Sequence, residues 1–178
     1  MKFLLKYSLL FLLAFSSLSF QQQPFDSNQL VARQKAVFLY NFTKYFEWPE
    51  KMRSGNFIIN VIGNNAGING ELNKMATSKQ VGNQKLEIRN TTSVDGSIQP
   101  HIIFLLNESS EMLKEIAAKF KGKGTLVVTE KNGLAKAGSA INFVAIDSKL
   151  KFEYSKTNAV KAGLKTSDGL NSLAIAVD

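Results

Sequence analysis

The sequence has 178 residues, 44% of them hydrophobic and 20% charged, with a formal charge of +8, one histidine and no cysteine. That length holds one domain with a proper core, since domains of roughly 100–200 residues fold without covalent staples. Disulfide scaffolds, iron–sulfur proteins and thiol enzymes are excluded, and His101 alone cannot furnish the ligand set of a structural zinc site, so no metal or other cofactor is expected.

The chain opens with Lys2 and Lys6 flanking an apolar run that includes Leu9, Leu10, Phe11, Leu12 and Leu13, followed by the small residues Ser16, Ser17 and Ser19. This is the charged, apolar and small-residue order of a secretory signal peptide over residues 1–19. The apolar run is shorter than the ~20 residues that a bilayer core demands. A cut after Ser19 leaves 20 basic against 14 acidic residues, a charge of +6, and no cysteine stands at the cut to take a lipid anchor. The folded domain is expected over residues 26–178.

Asp26, Ser27 and Asn28 are good amino-terminal caps, and Leu30, Val37, Phe38, Phe42 and Tyr45 recur at helical spacings, which predicts a helix over residues 26–46. Pro49 bars the residue before it from the helical region and ends the run. Strands follow at residues 57–62 and 85–90, with a short helix at 68–75 between them. His101 starts an apolar run to Leu106, fit for a strand covered on both faces. Glu108, Ser109 and Ser110 then cap a helix with a stripe of Met112, Leu113, Ile116, Ala117 and Phe120, which Gly122 stops.

Residues 125–129 form the next buried strand, and the strand–helix–strand order makes it parallel to its predecessor. Two strands, 139–146 and 150–154, meet around Asp147, Ser148 and Lys149 as an antiparallel hairpin. Helices over 156–164 and 167–176 close the chain, with Gly163 between them. The expected architecture is a single three-layer α/β domain: a mostly parallel sheet, a carboxy-terminal antiparallel hairpin and flanking helices.

Motifs of known chemistry are scarce. Residues 63–70, GNNAGING, sit between a strand and a helix, where a phosphate loop would lie, but match neither glycine fingerprint. Turn chemistry is the favoured reading, with a helix start that accepts an anion as the alternative. Gly122-Lys123-Gly124-Thr125 precedes its strand, the wrong order for a phosphate loop. No G-x-S-x-G occurs, so a Ser/His/Asp hydrolase would have to be built around His101, whose place at a strand start suits a structural role. Glu108, Glu111 and Glu115 alternate with lysines as on a solvated helix face. Lys114, Lys119, Lys121 and Lys123 gather at the end of a helix, where cations complement the dipole. There is no basic face or aromatic strip of the kind that nucleic-acid binding needs.

One cluster stands out. Phe38, Tyr40, Phe42, Tyr45, Phe46 and Trp48 are more aromatic surface than one helix face hides against one sheet. Either the helix is sandwiched between the sheet and the terminal helices, or Tyr40, Tyr45, Phe46 and Trp48 form a partner surface.

These residues also carry a resemblance. The stretch from Tyr40 to Pro49, YNFTKYFEWP, with the strand that follows, resembles the opening of the YfiR family of small periplasmic regulators. The later segments agree in order: HIIFL from His101, TEKNGLA from Thr129, GSAINFV from Gly138, Phe152-Glu153, and AGLK from Ala162 with Ser167, Leu170, Leu173 and Ala174. The resemblance spans residues 36–174. It implies a non-catalytic binding protein of the Gram-negative periplasm that holds down a membrane-bound diguanylate cyclase through that protein's periplasmic domain, with a sensor kinase as the alternative partner where this chain departs from the family pattern. Cyclic-di-GMP and biofilm formation fall as a result, and an outer-membrane partner gives relief. The best-known members carry cysteines; this chain has none, so a thiol switch cannot operate in it. It departs again at Tyr154-Ser155, where Ser155 keeps a helix cap, and at Asp168-Gly169, where an interior glycine would loosen the last helix by ~1 kcal/mol.

Two further readings stand beside this one. A small-ligand sensor or carrier would use the crevice at the strand ends near Asn64, Asn65, Asn107, Glu130 and Asn132, where open α/β sheets bind. A hydrolase would need an activated nucleophile or a metal cluster. A homodimer is the ordinary expectation for a small regulator, and nucleic acid is not an expected partner.

Overall fold

The computed structural model describes residues 27–177, so the expected signal peptide lies outside the described residues. Helix α1 (Ser27–Phe42) is followed by the two-residue strand β1 (Phe46–Glu47), strand β2 (Phe57–Ile62), helix α2 (Ala66–Ala76), and strands β3 (Gln80–Val81), β4 (Gln84–Thr91) and β5 (Ile102–Leu105). Next come helix α3 (Leu113–Lys119), strand β6 (Leu126–Thr129), helix α4 (Leu134–Ala137), strands β7 (Ile141–Ile146) and β8 (Lys149–Tyr154), helix α5 (Lys156–Lys161), and the short strands β9 (Lys165–Thr166) and β10 (Ile175–Ala176).

Eight strands form one sheet in the order β3-β4-β2-β5-β6-β7-β8-β10. From β4 through β7 all neighbours are parallel; β7 and β8 are antiparallel, as are β3 and β4. The expected single α/β domain with a mostly parallel sheet and a late hairpin is the one observed. Asp147 and Ser148 turn the hairpin with φ of 50° and 58°, the doubly positive geometry of a two-residue primed turn.

Alternation along the strands sorts the core into two clusters. Phe57, Ile59, Val61, Ile102, Phe104, Leu126 and Val128 share one cluster with residues of α1 and α2. Ile62, Ile103, Leu105 and Val127 share the other with Leu113, Ile116 and Phe120 of α3. Successive side chains of a strand point to opposite faces, so this division places helices on both sides of the sheet. Phe38 and Phe42 on α1 meet Phe143 and Phe152 of the hairpin at ring-centroid distances of 5.1–6.0 Å. Aromatic pairs at such distances contribute about 0.5–1.5 kcal/mol beyond the area they bury.

Three expectations about local structure are corrected. Helix α1 ends at Phe42 rather than at residue 46, because Thr43, Lys44 and Tyr45 donate their amides to the carbonyls of Tyr40, Asn41 and Phe42 in a tightening turn. Phe46 and Glu47 are thereby freed to pair with Thr166 and Lys165. The second closing helix does not form: after β9 the segment 167–176 holds a 3₁₀ turn at Asp168–Leu170 and the edge strand β10, which lies parallel to β8. Asp168-Gly169 is the weak helix former there, and pairing with β1 and β8 captures the backbone instead. Finally, Glu108-Ser109-Ser110 falls inside a 3₁₀ helix, Asn107–Met112, that leads into α3 without a side-chain cap.

Candidate functional site

The parallel strands β4, β2, β5, β6 and β7 have a sheet order in which the second in sequence precedes the first and the rest follow in turn. Connections therefore leave the first and third, β2 and β5, in opposite directions, and a crevice opens beyond their carboxyl ends. At that point Leu106 donates its amide to the Ile62 carbonyl, and Gly63 gives its own to the Thr91 carbonyl. Gly63 has φ of 118°, and a Cβ there would stand 2.8 Å from Glu108 Oε1 and 2.9 Å from Leu106 Cβ. Only glycine allows the chain to pass so close to its neighbour.

On the α1 side the crevice widens into a cavity of about 580 Å³. Phe104, Leu106 and Ile68 form its apolar floor; Asn28 and Gln29 of α1, Asn65 and the pair Lys35–Glu130 bring polarity. Lys35 Nζ lies 2.6 Å from Glu130 Oε2, with the side chains 20% and 13% exposed, so α1 is tied across the strand ends to the residue that follows β6. The other oxygen of Glu130 accepts the Asn107 amide at 3.1 Å. Asn65 caps α2, its Oδ1 accepting the Ile68 amide at 3.1 Å.

Of the five residues expected at this crevice, Asn65 and Glu130 line one cavity, and Asn107 joins them through its backbone. Asn64 is exposed and is held instead by Glu108, whose Oε1 accepts its amide at 3.0 Å. Asn132 is exposed in the turn before α4 and does not line the cavity. Sequence reasoning missed Lys35, Asn28 and Gln29. Lys35 borders the buried stripe of Ala32, Ala36 and Leu39, a signal that could have aimed it inward, but its partner Glu130 is distant in sequence.

The expected partner surface is corrected for two of its four residues. Phe46 and Trp48 are only 4% and 6% exposed and belong to the core. The turn after α1 folds them inward: Phe46 meets Trp48 and Tyr154 edge-on, and Trp48 meets Phe57 edge-on at 4.9 Å. Both still form the wall of an open groove of about 450 Å³ that Thr43, Arg53 and Gly82 also line. Tyr40 and Tyr45 are half-buried. The Tyr40 hydroxyl donates to the Gln80 carbonyl at 3.0 Å, and the Tyr45 carbonyl accepts the Ser167 amide at 2.9 Å.

His101, around which a hydrolase would have to be built, is 4% exposed and fully engaged. Its Nδ1 accepts the Ile58 amide at 3.1 Å, which places the proton on Nε2, 2.7 Å from the Met52 carbonyl that accepts it. The ring stacks on Phe57 at 4.2 Å, and the His101 carbonyl accepts the Trp48 indole proton at 3.2 Å. Burial lowers the His101 pKa below its ordinary value, with the hydrogen bond to Met52 opposing the shift. Neither nitrogen is left for a nucleophile. Among the described residues no group of three or more His, Cys, Asp or Glu could hold a metal ion, and no helix is long and apolar enough to cross a membrane.

No curated protein matches the chain. A family model described as YfiR/HmsC-like matches residues 32–175, a span that runs from within α1 into β10 and takes in Lys35, Asn65 and Glu130 of the crevice and the buried Phe46 and Trp48.

Proposed function

Because the chain belongs to the YfiR/HmsC-like family, we propose that it is an exported regulatory binding protein that acts in the periplasm without catalysis. It controls a membrane-bound signalling protein, a diguanylate cyclase or a sensor kinase, by contact with that protein's periplasmic domain. The family match over residues 32–175 is the observation that carries this reading. Control by contact requires differential affinity: the regulator lowers output only if it binds the inactive conformation of its partner more tightly than the active one. Tyr40 and Tyr45, half-buried near the end of α1 and in the turn that follows it, are the proposed contact residues. An outer-membrane partner would compete for the regulator and relieve the control.

The test is affinity capture from membranes of the native organism, paired with deletion of the gene. Recovery of a signalling protein, with cyclic-di-GMP or biofilm raised in the deletion strain, is the expected result. Capture of no signalling protein together with unchanged cyclic-di-GMP and biofilm would refute the proposal.

A second reading, a small-ligand sensor, is favoured by the cavity at the β2–β5 switch point, where Lys35, Glu130 and Asn65 converge over an apolar floor. Thermal-shift screening against periplasmic metabolites tests it, with Lys35→Met abolishing any response that arises there. A flat response across a broad panel removes this reading.

A further inference from the structure

A second cavity lies on the opposite side of the sheet, between α3 and α5, and has no part in the crevice just described. It measures about 310 Å³, at the lower end of the volumes that bind small molecules. The space exists because the residues facing it are small: Ala117 on α3, Gly138 and Ala140 before β7, and Ala162 after α5. Phe120 and Val127 complete an apolar lining. Its walls are fixed to each other, since Gly122 and Gly124 after α3 donate their amides to the carbonyls of Lys161 and Ala162 at 2.9 and 2.7 Å. A cavity held open in this way needs no rearrangement before it is filled.

The polar groups around it select the charge of an occupant. The donors of Thr125 and Asn158 are already spent: the Thr125 hydroxyl donates to the Pro100 carbonyl at 2.7 Å, and the Asn158 amide to the carbonyls of Ala135 and Ser139 at 2.8 and 3.0 Å. Lys121 and Lys161 remain, both exposed, and among the described residues neither makes an ion pair. No carboxylate lines the cavity. An apolar chamber with two unpaired cations and no anion matches a molecule with a short apolar body and one anionic end.

We propose that this cavity binds a medium-chain alkyl carboxylate, its chain against Ala117, Phe120, Val127 and Ala140 and its carboxylate between the ammonium groups of Lys121 and Lys161. The site is independent of the regulatory reading and of the switch-point cavity. Isothermal titration of the purified chain with hexanoate, octanoate and decanoate tests it, with acetate and 1-octanol as controls and amide chemical shifts as the locator.

Saturable binding that tightens roughly fourfold per added methylene until the chamber is full is the expected result, with shifts centred on Ala117, Val127 and Ala140. Octanol binds more weakly than octanoate, and acetate shows no binding in the same range. Ala117→Leu fills the chamber and abolishes binding, while the double substitution Lys121→Gln and Lys161→Gln, at exposed positions that do not threaten the fold, weakens octanoate roughly tenfold and leaves octanol unchanged. Absence of saturable binding, shifts centred elsewhere, equal affinity for octanol and octanoate, or octanoate affinity indifferent to either variant would each overturn the proposal.

Discussion

His101 is the most exacting place to test the physical account of this fold, because one side chain satisfies two backbone groups and its own carbonyl holds Trp48. Replacing it by phenylalanine keeps a flat ring that can stack on Phe57 but removes the acceptor of the Ile58 amide and the donor to the Met52 carbonyl. A buried polar group left without a partner costs about 1–3 kcal/mol. Two such groups, with some access of water at the half-buried Ile58 and some apolar gain from the phenyl ring, give a loss of about 2–4 kcal/mol. For a domain of this size the corresponding fall in Tm is roughly 5–15 °C. Trp48 is the only tryptophan and contacts the site directly, so urea unfolding followed by its fluorescence reads the change. The midpoint should fall with little change in slope.

Protonation of the same ring makes an independent test. The folded protein holds the His101 pKa below its unfolded value, so below the ordinary histidine pKa the unfolded state binds more protons than the folded one. Stability is fully present above about pH 6.5 and is lost as pH falls from there through the folded value. The lowered carboxyls act in a different window. Glu87 accepts from Asn56 and from Arg89, and Asp95 from the Ser97 amide and hydroxyl; their contributions are present above the ordinary carboxylate pKa and fade only at about pH 4 and below. Urea midpoints measured from pH 7.5 to 5.0 should therefore decline in the native protein and stay level in His101→Phe. A level native profile, a declining variant profile, or a variant as stable as the native protein would show that the ring is not the buried neutral bridge described.

Other substitutions test separate parts of the structure. Gly124→Ala and Gly133→Ala share a left-handed backbone, with φ of 82° and 83°, but a Cβ at Gly124 would lie 2.5 Å from Pro49 Cδ, whereas open space surrounds Gly133. Thermal unfolding should show a loss of about 1–2 kcal/mol at Gly133 from strain alone and a larger one at Gly124. Thr129→Val removes a buried hydroxyl that lies 2.8 Å from both Ser139 Oγ and Asn142 Oδ1 and should cost about 1–3 kcal/mol in urea unfolding. Asn65→Ala removes the α2 cap at the crevice and should cost about 0.5–2 kcal/mol, while Asn65→Ser restores most of it.

The parts of the fold that sequence made legible are those governed by local periodicity. The run at β5, all of β2 but Asn60 and all of β6 but Thr129 are apolar because the strands are central, and their bounds are legible within a residue or two. The hairpin was found from its turn residues. The crevice followed from the alternation of strands and helices, since a parallel order of this kind leaves an opening at its switch point whatever the side chains. What escaped was decided between segments far apart in the chain. Nothing near Lys35 announces Glu130. Nothing near Phe46 announces Thr166, so the helical spacing of Phe38, Phe42 and Tyr45 carries the expected helix too far. The cavity between α3 and α5 was hidden for the same reason: Ala117, Gly138, Ala140 and Ala162 are unremarkable singly and leave a void only when three elements bring them together.

The same distant pairings explain how a chain without cysteine secures its carboxy-terminal segment. That segment has no long helix to bury and contributes only short strands and a turn, each too small to hold alone. It is fixed by convergence on Tyr45, Phe46 and Tyr154. Phe46 and Glu47 pair with Thr166 and Lys165, the Tyr45 carbonyl accepts the Ser167 amide, and the hydroxyls of Tyr154 and Thr166 lie 2.7 Å apart. Leu170 is wholly buried in the main core, and the Val177 amide donates to the Tyr154 carbonyl beyond β10. Each contact is worth of the order of 1 kcal/mol, so the segment is held by their number rather than by any one of them. Under the proposed function, a partner that grips Tyr45 would therefore bear directly on the anchor of the closing segment, through the Ser167 amide. The closing segment is thus held by a noncovalent clasp, whose contacts do not depend on redox state.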